Sequence, residues 1–284
     1  MKRIVFTAAL FSLFIASCDY VANPKEDYIP APEPEDTLIR KVLLEDYTGH
    51  QCGPCPAAGA QAVSLKNTYG ERLITIGVHA GFLADPLPPN YPANYHTTAG
   101  DAYFTFFGIT TTPKGMVNRR NYPTNGHNLS WGAWSSAIGN VINTPPVANI
   151  EITHTYNTGT RQLNLSTSTR AISPLSGNYY VVALITEDSI ISPQNDASQN
   201  PSYVPNYVHR HVLRGSVPDA AYWGYQILNG TAAAGDTLNY TFPAFTLPSA
   251  WNDAKCHIVV YVYDNNSSSA TYKEIIQAEE VRLR

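Results

Sequence analysis

The chain has 284 residues, enough for more than one small domain, and its 18 basic and 22 acidic residues give a formal net charge of −4. Only 14% of the residues are charged and cations are not in excess, so the basic face that nucleic-acid binding needs is missing. The hydrophobic fraction of 44% can supply cores for two domains, and no segment after the N-terminal one is apolar for long enough to span a membrane.

Residues 1–17 have the pattern of a secretory signal peptide. A short basic start precedes an apolar run from Ile4 to Ile15, which is too short to cross a bilayer. Small residues then lead directly into Cys18, an order that resembles the lipobox of bacterial lipoproteins. By that resemblance, Cys18 becomes the lipid-bearing N-terminus. Residues 18–37 are rich in Pro, Glu and Asp, which predicts an extended tether between the lipid and the folded part.

Residues 38–145 alternate between strand-like and helix-like patterns. Short buried apolar runs predict the strands, and apolar residues at helical spacing predict the helices. The predicted elements are strands at 40–49, 72–80 and 114–120 and helices at 53–69, 99–108 and 130–142. This alternation predicts an α/β layer fold with parallel strand pairing.

Residues 146–284 lose the helical period and form the second predicted domain, with the boundary near 143–149. Clusters of Gly, Pro, Asn or Ser separate most of the strand-like runs. The strand candidates are 148–157, 161–170, 178–188, 208–215, 236–245, 255–264 and 273–283. Seven such strands predict an antiparallel β-sandwich that is immunoglobulin-like in outline.

Cys52 and Cys55 are separated only by Gly53 and Pro54, a spacing that suits a redox pair, half of a metal site or a structural clip. A structural zinc site needs a second such pair or a close Cys/His pair, and none lies nearby in the sequence. A fold held by disulfides needs more than the chain's four cysteines. The redox interpretation is therefore favoured, and neither a metal nor another cofactor is predicted.

The first predicted domain carries three further features in order. The tetrapeptide from Cys52 to Cys55 reproduces the thioredoxin active-site motif, after a predicted strand and at the start of a predicted helix. Asp46 lies six residues before it, where thioredoxins carry a buried acidic residue. The segment GITTTPKGMVN (108–118) is similar to the one that bears the superfamily's cis-proline, here Pro113. The domain thus resembles the thioredoxin superfamily.

That resemblance implies thiol–disulfide exchange by a Cys52–Cys55 disulfide and dithiol. A helix N-terminus favours the thiolate, so Cys52, at the exposed end of the motif, would attack a substrate disulfide. Cys55, one turn inside, would resolve the mixed disulfide. Asp46 would take or give the proton during resolution.

The same resemblance implies where a substrate binds. Pro113 would be cis and would leave the backbone beside it free to pair with an extended substrate, with Thr112, Gly53 and Pro54 as further substrate contacts. Gln51 departs from the pattern, because a Trp usually precedes the first cysteine. The departure indicates a narrower substrate than that of a general protein reductase.

Further stretches extend over nearly all of the chain after Cys18. They are HAGF (79–82), TPKGMVNR (112–119), LITED (184–188), YVHRHVLRG (207–215) and IIQAEEV (275–281). With the lipobox cysteine, they resemble the twenty-eight-kilodalton outer-membrane lipoprotein family of Bacteroidota. The resemblance implies a thioredoxin-like domain joined to a β domain, anchored by lipid to the outer membrane on its periplasmic or surface face.

His209 and His211 are two residues apart and would share one face of a predicted strand. Such a pair can bind a metal, with Glu187 or His257 to complete the site. A polar sheet face or a hydrogen-bond network between the domains is the favoured interpretation, so this pair adds no metal site to the prediction.

Two functions follow from the sequence. The leading hypothesis is a membrane-anchored extracytoplasmic thiol–disulfide oxidoreductase that acts on protein or peptide thiols and disulfides, together with an electron donor or acceptor that the sequence does not identify. The alternative is a surface lipoprotein that serves as a binding or assembly module on a redox-inactive thioredoxin scaffold. The intact motif, Asp46 and Pro113 favour the enzyme; Gln51 and the large β domain favour the alternative.

Overall fold

The computed structural model describes residues 38–284. The predictions for the signal peptide, the lipid on Cys18 and the tether lie outside the described residues. The first half contains the elements β1 (Val42–Thr48), α1 (Cys55–Tyr69), β2 (Leu73–His79), α2 (Thr98–Phe106), β3 (Lys114–Val117) and α3 (Trp134–Ile142). Five of them lie within a predicted element of the same type, and α2 begins one residue before its predicted helix.

The second half is made of strands. They are β4 (Ala148–Asn157), β5 (Gln162–Ala171), β6 (Leu175–Glu187), β7 (Ile190–Asn195), β8 (Tyr203–His209), β9 (Val212–Ser216), β10 (Tyr225–Ala232), β11 (Thr237–Thr241), β12 (Phe245–Thr246), β13 (Cys256–Asp264) and β14 (Ile275–Arg282). Strands β7 and β10 were not predicted, and β8 only touches a predicted run. Strand β7 and strand β8 each contain a proline, which weakens the strand pattern in their sequences.

One eight-stranded sheet contains strands from both predicted domains. Its order is β14-β13-β6-β9-β2-β1-β3, with β10 paired to β6. The link between the halves is the parallel pairing of Gly77 in β2 with Val212 in β9. The sheet therefore has no break at the predicted boundary near 143–149, where only the mixture of helices and strands gives way to strands alone.

Strand directions within the first half depart from the prediction at one point. Strands β1 and β2 are parallel, as predicted, but β3 is antiparallel to β1. The reason is that β2 stops at the same end of the sheet as β1, and segment 80–113, which includes α2, brings the chain back to that end. The strand β3 thus begins beside the end of β1.

Apolar layers cover both faces of the large sheet. Helices α1 and α3 pack on the face of β1 that carries Val42 and Leu44, while α2 packs on the opposite face through Tyr103 and its neighbours. A smaller sheet, β11-β5-β12 with β4 on β5, packs against β6 and β13. The result is a mixed α/β fold in which strands predominate.

Candidate functional site

Cys52 and Cys55 form a disulfide at the start of α1, as the motif predicts. The helix begins at Cys55 directly after Pro54, and the Cys55 amide donates to the Cys52 carbonyl at 3.3 Å. Cys52 thus lies in the tight turn that enters the helix. The first amides of a helix have no partner within it and favour negative charge nearby, which is the environment that stabilises a thiolate.

Pro113 and this disulfide lie at the same end of the sheet, where strand β1 stops. The Thr112–Pro113 peptide bond is cis, in agreement with the prediction. Strand β3 starts at the next residue, Lys114, which pairs with Tyr47 near the end of β1. The turn that carries Cys52 follows the end of β1. The structure therefore brings Cys52 and Pro113 to the same end of the sheet. The Thr112 hydroxyl is buried and has no hydrogen-bond partner among the described residues.

Asp46 lies on β1, on the face of the sheet that α1 covers. Its side chain is 8% exposed, and burial raises its pKa to about 7. One carboxyl oxygen, Oδ1, is buried without a hydrogen-bond partner within residues 38–284. A carboxyl with a pKa close to neutral can both accept and release a proton under ordinary conditions.

Asp46 and Cys55 both line a groove of about 720 Å³. Its floor is formed by β1 and β2, one wall by α1, and the opposite wall by β8 and the two residues after it. The polar residues that matter most for its chemistry are Asp46, Cys55, His79, Tyr207, His209 and Arg210.

Two of the three histidines that line the groove, His79 and His209, are neutral at ordinary pH. His79 is 3% exposed, and burial, reinforced by His209, holds its pKa well below the usual value. Burial also lowers the pKa of His209 to about 4. Their ring centroids are 5.4 Å apart, and Tyr95 packs against both rings. Both ring nitrogens of His79 lack a hydrogen-bond partner in the described part of the chain.

His209 and His211 both line this groove but do not share a strand, which corrects the prediction. Strand β8 ends at His209 and β9 begins at Val212, while His211 has a positive φ of 49°. The break arises because the His211 carbonyl turns to accept a hydrogen bond from Gly77 of β2 at 2.8 Å. Within residues 38–284, no group of three or more His, Cys, Asp or Glu side chains has an arrangement that would hold a metal.

The proposed third ligands lie elsewhere. The carboxylate of Glu187 pairs with Arg214 at 3.3 Å. His257 lines a separate cavity beside β14. The chain therefore does not bring the two histidines and these side chains to one point.

The exposure of Cys52 is the main correction to the predicted site. Cys52 is 1% exposed and Cys55 3% exposed, so neither sulfur lies at an exposed end. The cover is the hairpin of β7 and β8, residues 190–209, which we call the strap. The strap forms its own two-stranded sheet, and its tip lies over the turn that carries the disulfide.

Hydrogen bonds hold the strap to this turn. The Ala197 amide donates to the Gly53 carbonyl at 3.0 Å, and the Asn195 amide to the His50 carbonyl at 2.7 Å. The side chain of Gln194, 2% exposed, donates from Nε2 to the Cys52 carbonyl at 3.0 Å and to the Gly49 carbonyl at 3.2 Å. Sequence reasoning missed these residues, because a Ser-Pro-Gln-Asn run has no strand or motif signal.

A second segment contacts the turn from the other side. The Gln51 amide donates to the Leu83 carbonyl at 3.0 Å, and the His50 ring hydrogen-bonds the Asp85 carbonyl at 2.8 Å. His50 also stacks on Tyr91, with ring centroids 5.5 Å apart. The disulfide turn is thus enclosed between the strap and segment 81–97.

Comparison with solved structures shows what the fold resembles. HBP35 of Porphyromonas gingivalis has a TM-score of 0.62 and 17% identity, over 87% of this chain and 76% of that chain. A protein of Agrobacterium tumefaciens, AGR_C_4864, has a TM-score of 0.48 and 12% identity, over 87% of this chain and 96% of that one. The match to HBP35 shows a likeness of fold. No curated protein sequence matches the chain.

Comparison with protein families indicates the cellular location of the protein. None of the helices in residues 38–284 is long and apolar enough to cross a membrane. Residues 100–282, more than half of the chain, match the family described as Outer membrane protein Omp28. The family and the location that the sequence predicts agree with this match at that level. The chain therefore belongs to the Omp28 family of outer membrane proteins, which implies a place in the outer membrane or the cell envelope.

Proposed function

We propose that this protein is a thiol–disulfide oxidoreductase of the cell envelope, held to the outer membrane by lipid on Cys18. Residues 38–145 would be its thioredoxin-like domain, and Cys52 and Cys55 its reactive pair. The observation that carries the proposal is one juxtaposition: a disulfide at a helix start, a buried carboxyl that lines the same groove as Cys55, and a cis-proline at the same end of the sheet.

The exchange would proceed in two balanced steps. In the dithiol form, the Cys52 thiolate attacks one sulfur of a substrate disulfide, and the other substrate sulfur leaves as a thiolate that takes a proton from solvent. Cys55 then loses its proton to Asp46 and attacks Cys52, which re-forms the Cys52–Cys55 disulfide. The second substrate sulfur leaves as a thiolate, to which Asp46 passes the proton. The pKa of about 7 suits Asp46 to this transfer, since the group is partly ionised at neutral pH.

A binding or assembly module is the second candidate, and one observation favours it. Both cysteines are at most 3% exposed, and the Gln194 side chain donates a buried hydrogen bond to the Cys52 carbonyl. A disulfide covered in this way also suits a structural clip, which would hold the turn while another surface binds the partner.

The reduction potential of the pair distinguishes the two candidates. Purified protein is equilibrated with graded ratios of reduced and oxidised glutathione or dithiothreitol, and the free thiols are trapped and counted by mass spectrometry. We expect a potential between about −120 and −270 mV, the range of working exchange proteins. A value below roughly −300 mV is typical of structural disulfides and would favour the binding module.

The control is the double variant Cys52→Ser/Cys55→Ser. Buried Cys256 has a pKa that burial raises to about 12, so it remains a thiol and should trap identically at every ratio. In the double variant, any remaining dependence on the glutathione ratio would therefore assign the signal to a different group and contradict the proposal.

A further inference from the structure

The strap lies outside the apolar cores of the protein. None of the apolar clusters formed by residues 38–284 contains a strap residue. Within the strap, only His209 and Gln194 are buried, and His209 lies at the base, where it pairs with Ile190. A segment with few buried apolar contacts opens locally at a lower free energy than the core. The strap can therefore open while the sheets stay folded.

Both stems of the strap are anchored, and each contains a bend. At the first stem, the Asp188 amide donates to the Lys255 carbonyl at 2.9 Å, and Ser189 follows with a φ of 58°. At the second, the His211 carbonyl accepts from the Gly77 amide, and His211 itself has a φ of 49°. A positive φ is uncommon for residues other than glycine and marks a sharp change of chain direction. The strap thus leaves two fixed points through bends about which it can pivot as a hairpin.

Hydrogen bonds close the strap over turn 49–53. All five backbone carbonyls of this turn accept from strap donors. Gln194 is the central donor, because its buried Nε2 bonds the carbonyls of Gly49 and Cys52 at 3.2 and 3.0 Å. The other donors are the Asn195 amide to His50, Asn195 Nδ2 to Gln51 at 3.0 Å and the Ala197 amide to Gly53. In this closed form both cysteines are at most 3% exposed, so access to the disulfide depends on the strap.

The turn does not need the strap for its own shape. The Cys52 amide donates to the Gly49 carbonyl at 3.0 Å, and the Cys55 amide to the Cys52 carbonyl at 3.3 Å. The two carbonyls that Gln194 bonds therefore each have a second donor inside the turn. The other three would bond water after opening, and the exchange of a protein hydrogen bond for one with water has a modest net cost. Opening thus exposes the disulfide on an intact turn.

We propose that the strap is a gate: the disulfide and its dithiol react only while residues 190–209 have swung off turn 49–53, and Gln194 is the latch that sets how often this happens. The proposal rests on the proposed thiol–disulfide exchange and adds its regulation. The closed form is inactive, and the observed rate is the open fraction multiplied by the rate of the open form. Reagents of every size therefore wait for the same opening.

Hydrogen exchange tests the opening itself. The amides of Asn195 and Ala197, which bond the turn, are compared with the amide of Val260 in β13 by mass spectrometry of short peptides. Because the strap opens without the sheets, its amides should exchange at least about 100-fold faster than Val260. Equal exchange rates would mean that the strap opens only when the whole protein unfolds, which overturns the gate.

Gln194→Ala tests the latch. Its loss removes the two central hydrogen bonds, so the exchange rate of the strap amides should rise about tenfold. The initial rate at which the disulfide is reduced should rise by the same factor with two probes of different size, dithiothreitol and the reduced insulin B chain. Gln199→Ala is the matched control, because Gln199 is an exposed residue of the same type on the same hairpin. It should leave all three rates within about twofold.

The two probes separate a gate from a filter. If Gln194→Ala accelerates the insulin chain but leaves dithiothreitol unchanged, small reagents enter without opening, and the inference is overturned. Asn195→Ala, which removes only the side-chain bond to Gln51, is the second variant should Gln194→Ala not fold. It should raise both reduction rates about threefold, and unchanged rates would contradict the gate.

The gate and the proposed function can fail separately. A reduction potential below roughly −300 mV would count against the exchange function, yet the rate of reduction by excess dithiothreitol would still report the opening of the strap. Conversely, a working exchange protein in which reduction does not follow the exchange rate of the Asn195 and Ala197 amides would keep its function and lose the gate.

Discussion

Glu45 and Asp46 are neighbours on β1, and because side chains alternate along a strand, they enter different faces of the same sheet. Glu45 is 1% exposed, and its two carboxylate oxygens accept from Arg119 Nε and Nη2 at 2.8 and 2.7 Å. The Arg119 guanidinium, fully buried, lies over the ring of Tyr103 at 4.1 Å. Both oxygens of this carboxylate are therefore occupied by the ion pair with Arg119, so its role is structural.

Asp46 has the opposite surroundings. It is buried to a similar degree, but no cation pairs with it among the described residues, and one oxygen has no hydrogen-bond partner. Burial therefore raises its pKa to about 7. Two adjacent buried carboxyls thus differ because one has a counterion and the other faces a groove. The partner, and not burial alone, separates a structural acid from one that can move protons.

Removal of the counterion should give the largest effect. Arg119→Met leaves the Glu45 carboxylate buried and unpaired, and the free energy of unfolding should fall by about 3–5 kcal/mol. Urea unfolding at pH 7 measures the loss.

The matched control is the next residue, Arg120, which pairs with Glu274 at 3.1 Å while its own side chain is 40% exposed. Arg120→Met should cost about 1 kcal/mol or less, since solvent screens such a pair. An equal loss of unfolding free energy in the two variants would mean that burial does not strengthen the contribution of the Arg119–Glu45 pair to stability.

Neutralising the other carboxyl should have the opposite sign and depend on pH. The unfolded Asp46 carboxyl titrates near 3.8 and the folded one at about 7, so the folded state holds the proton between these values. The protein therefore loses stability as pH rises from about 4 to 7. Asp46→Asn should remove this loss and gain up to about 4 kcal/mol over the native protein at pH 8, with little gain at pH 4.

Thermal unfolding at a series of pH values provides the test. Glu45→Gln is the comparison, because loss of the Glu45 charge leaves Arg119 unpaired and should destabilise the protein at pH 8. A gain in the Asp46→Asn variant that is the same at pH 4 and pH 8 would contradict a raised pKa in the folded protein.

The smallest effect should come from His79 on the neighbouring strand. Its ring nitrogens are buried without hydrogen-bond partners among residues 38–284, so His79→Leu should stabilise the protein by about 1 kcal/mol at pH 8. Because burial lowers its pKa in the folded state, the native protein loses stability as pH falls below the unfolded value of 6.5, and the gain should grow towards pH 5.

His154 is the control, since its ring hydrogen-bonds the Leu283 carbonyl at 3.1 Å. His154→Leu should not stabilise the protein at pH 8, because it removes a satisfied polar group. Tm measured at pH 5 and pH 8 for both variants decides the outcome. A gain for His79→Leu that shrinks towards pH 5 would overturn the assignment of a neutral His79.

Local signals in the sequence were enough for the helices, for most of the strands and for part of the site. The helical spacing before Gly70 gave α1, and the alternation in Cys256–Asp264 gave β13. The Cys52–Cys55 disulfide and the cis bond at Pro113 were also predicted, because short motifs carry both. The strap has no such motif, so its place over the disulfide could not be read from residues 190–209.

By itself, the sequence determined the family, the order of helices and strands in the first half, and the pair of sulfurs. These follow from periodicity and from contiguous motifs, which depend on neighbours along the chain. Only the tertiary structure decided that β3 is antiparallel and that Cys52 is covered. It also decided that Glu45 pairs with a cation while Asp46 pairs with none in the part of the chain that the structure describes. Each of these depends on residues distant in the chain: Gln194 is 142 residues from Cys52, and Arg119 is 74 from Glu45. Spacing along a sequence carries no information on such contacts until the sheet brings them together.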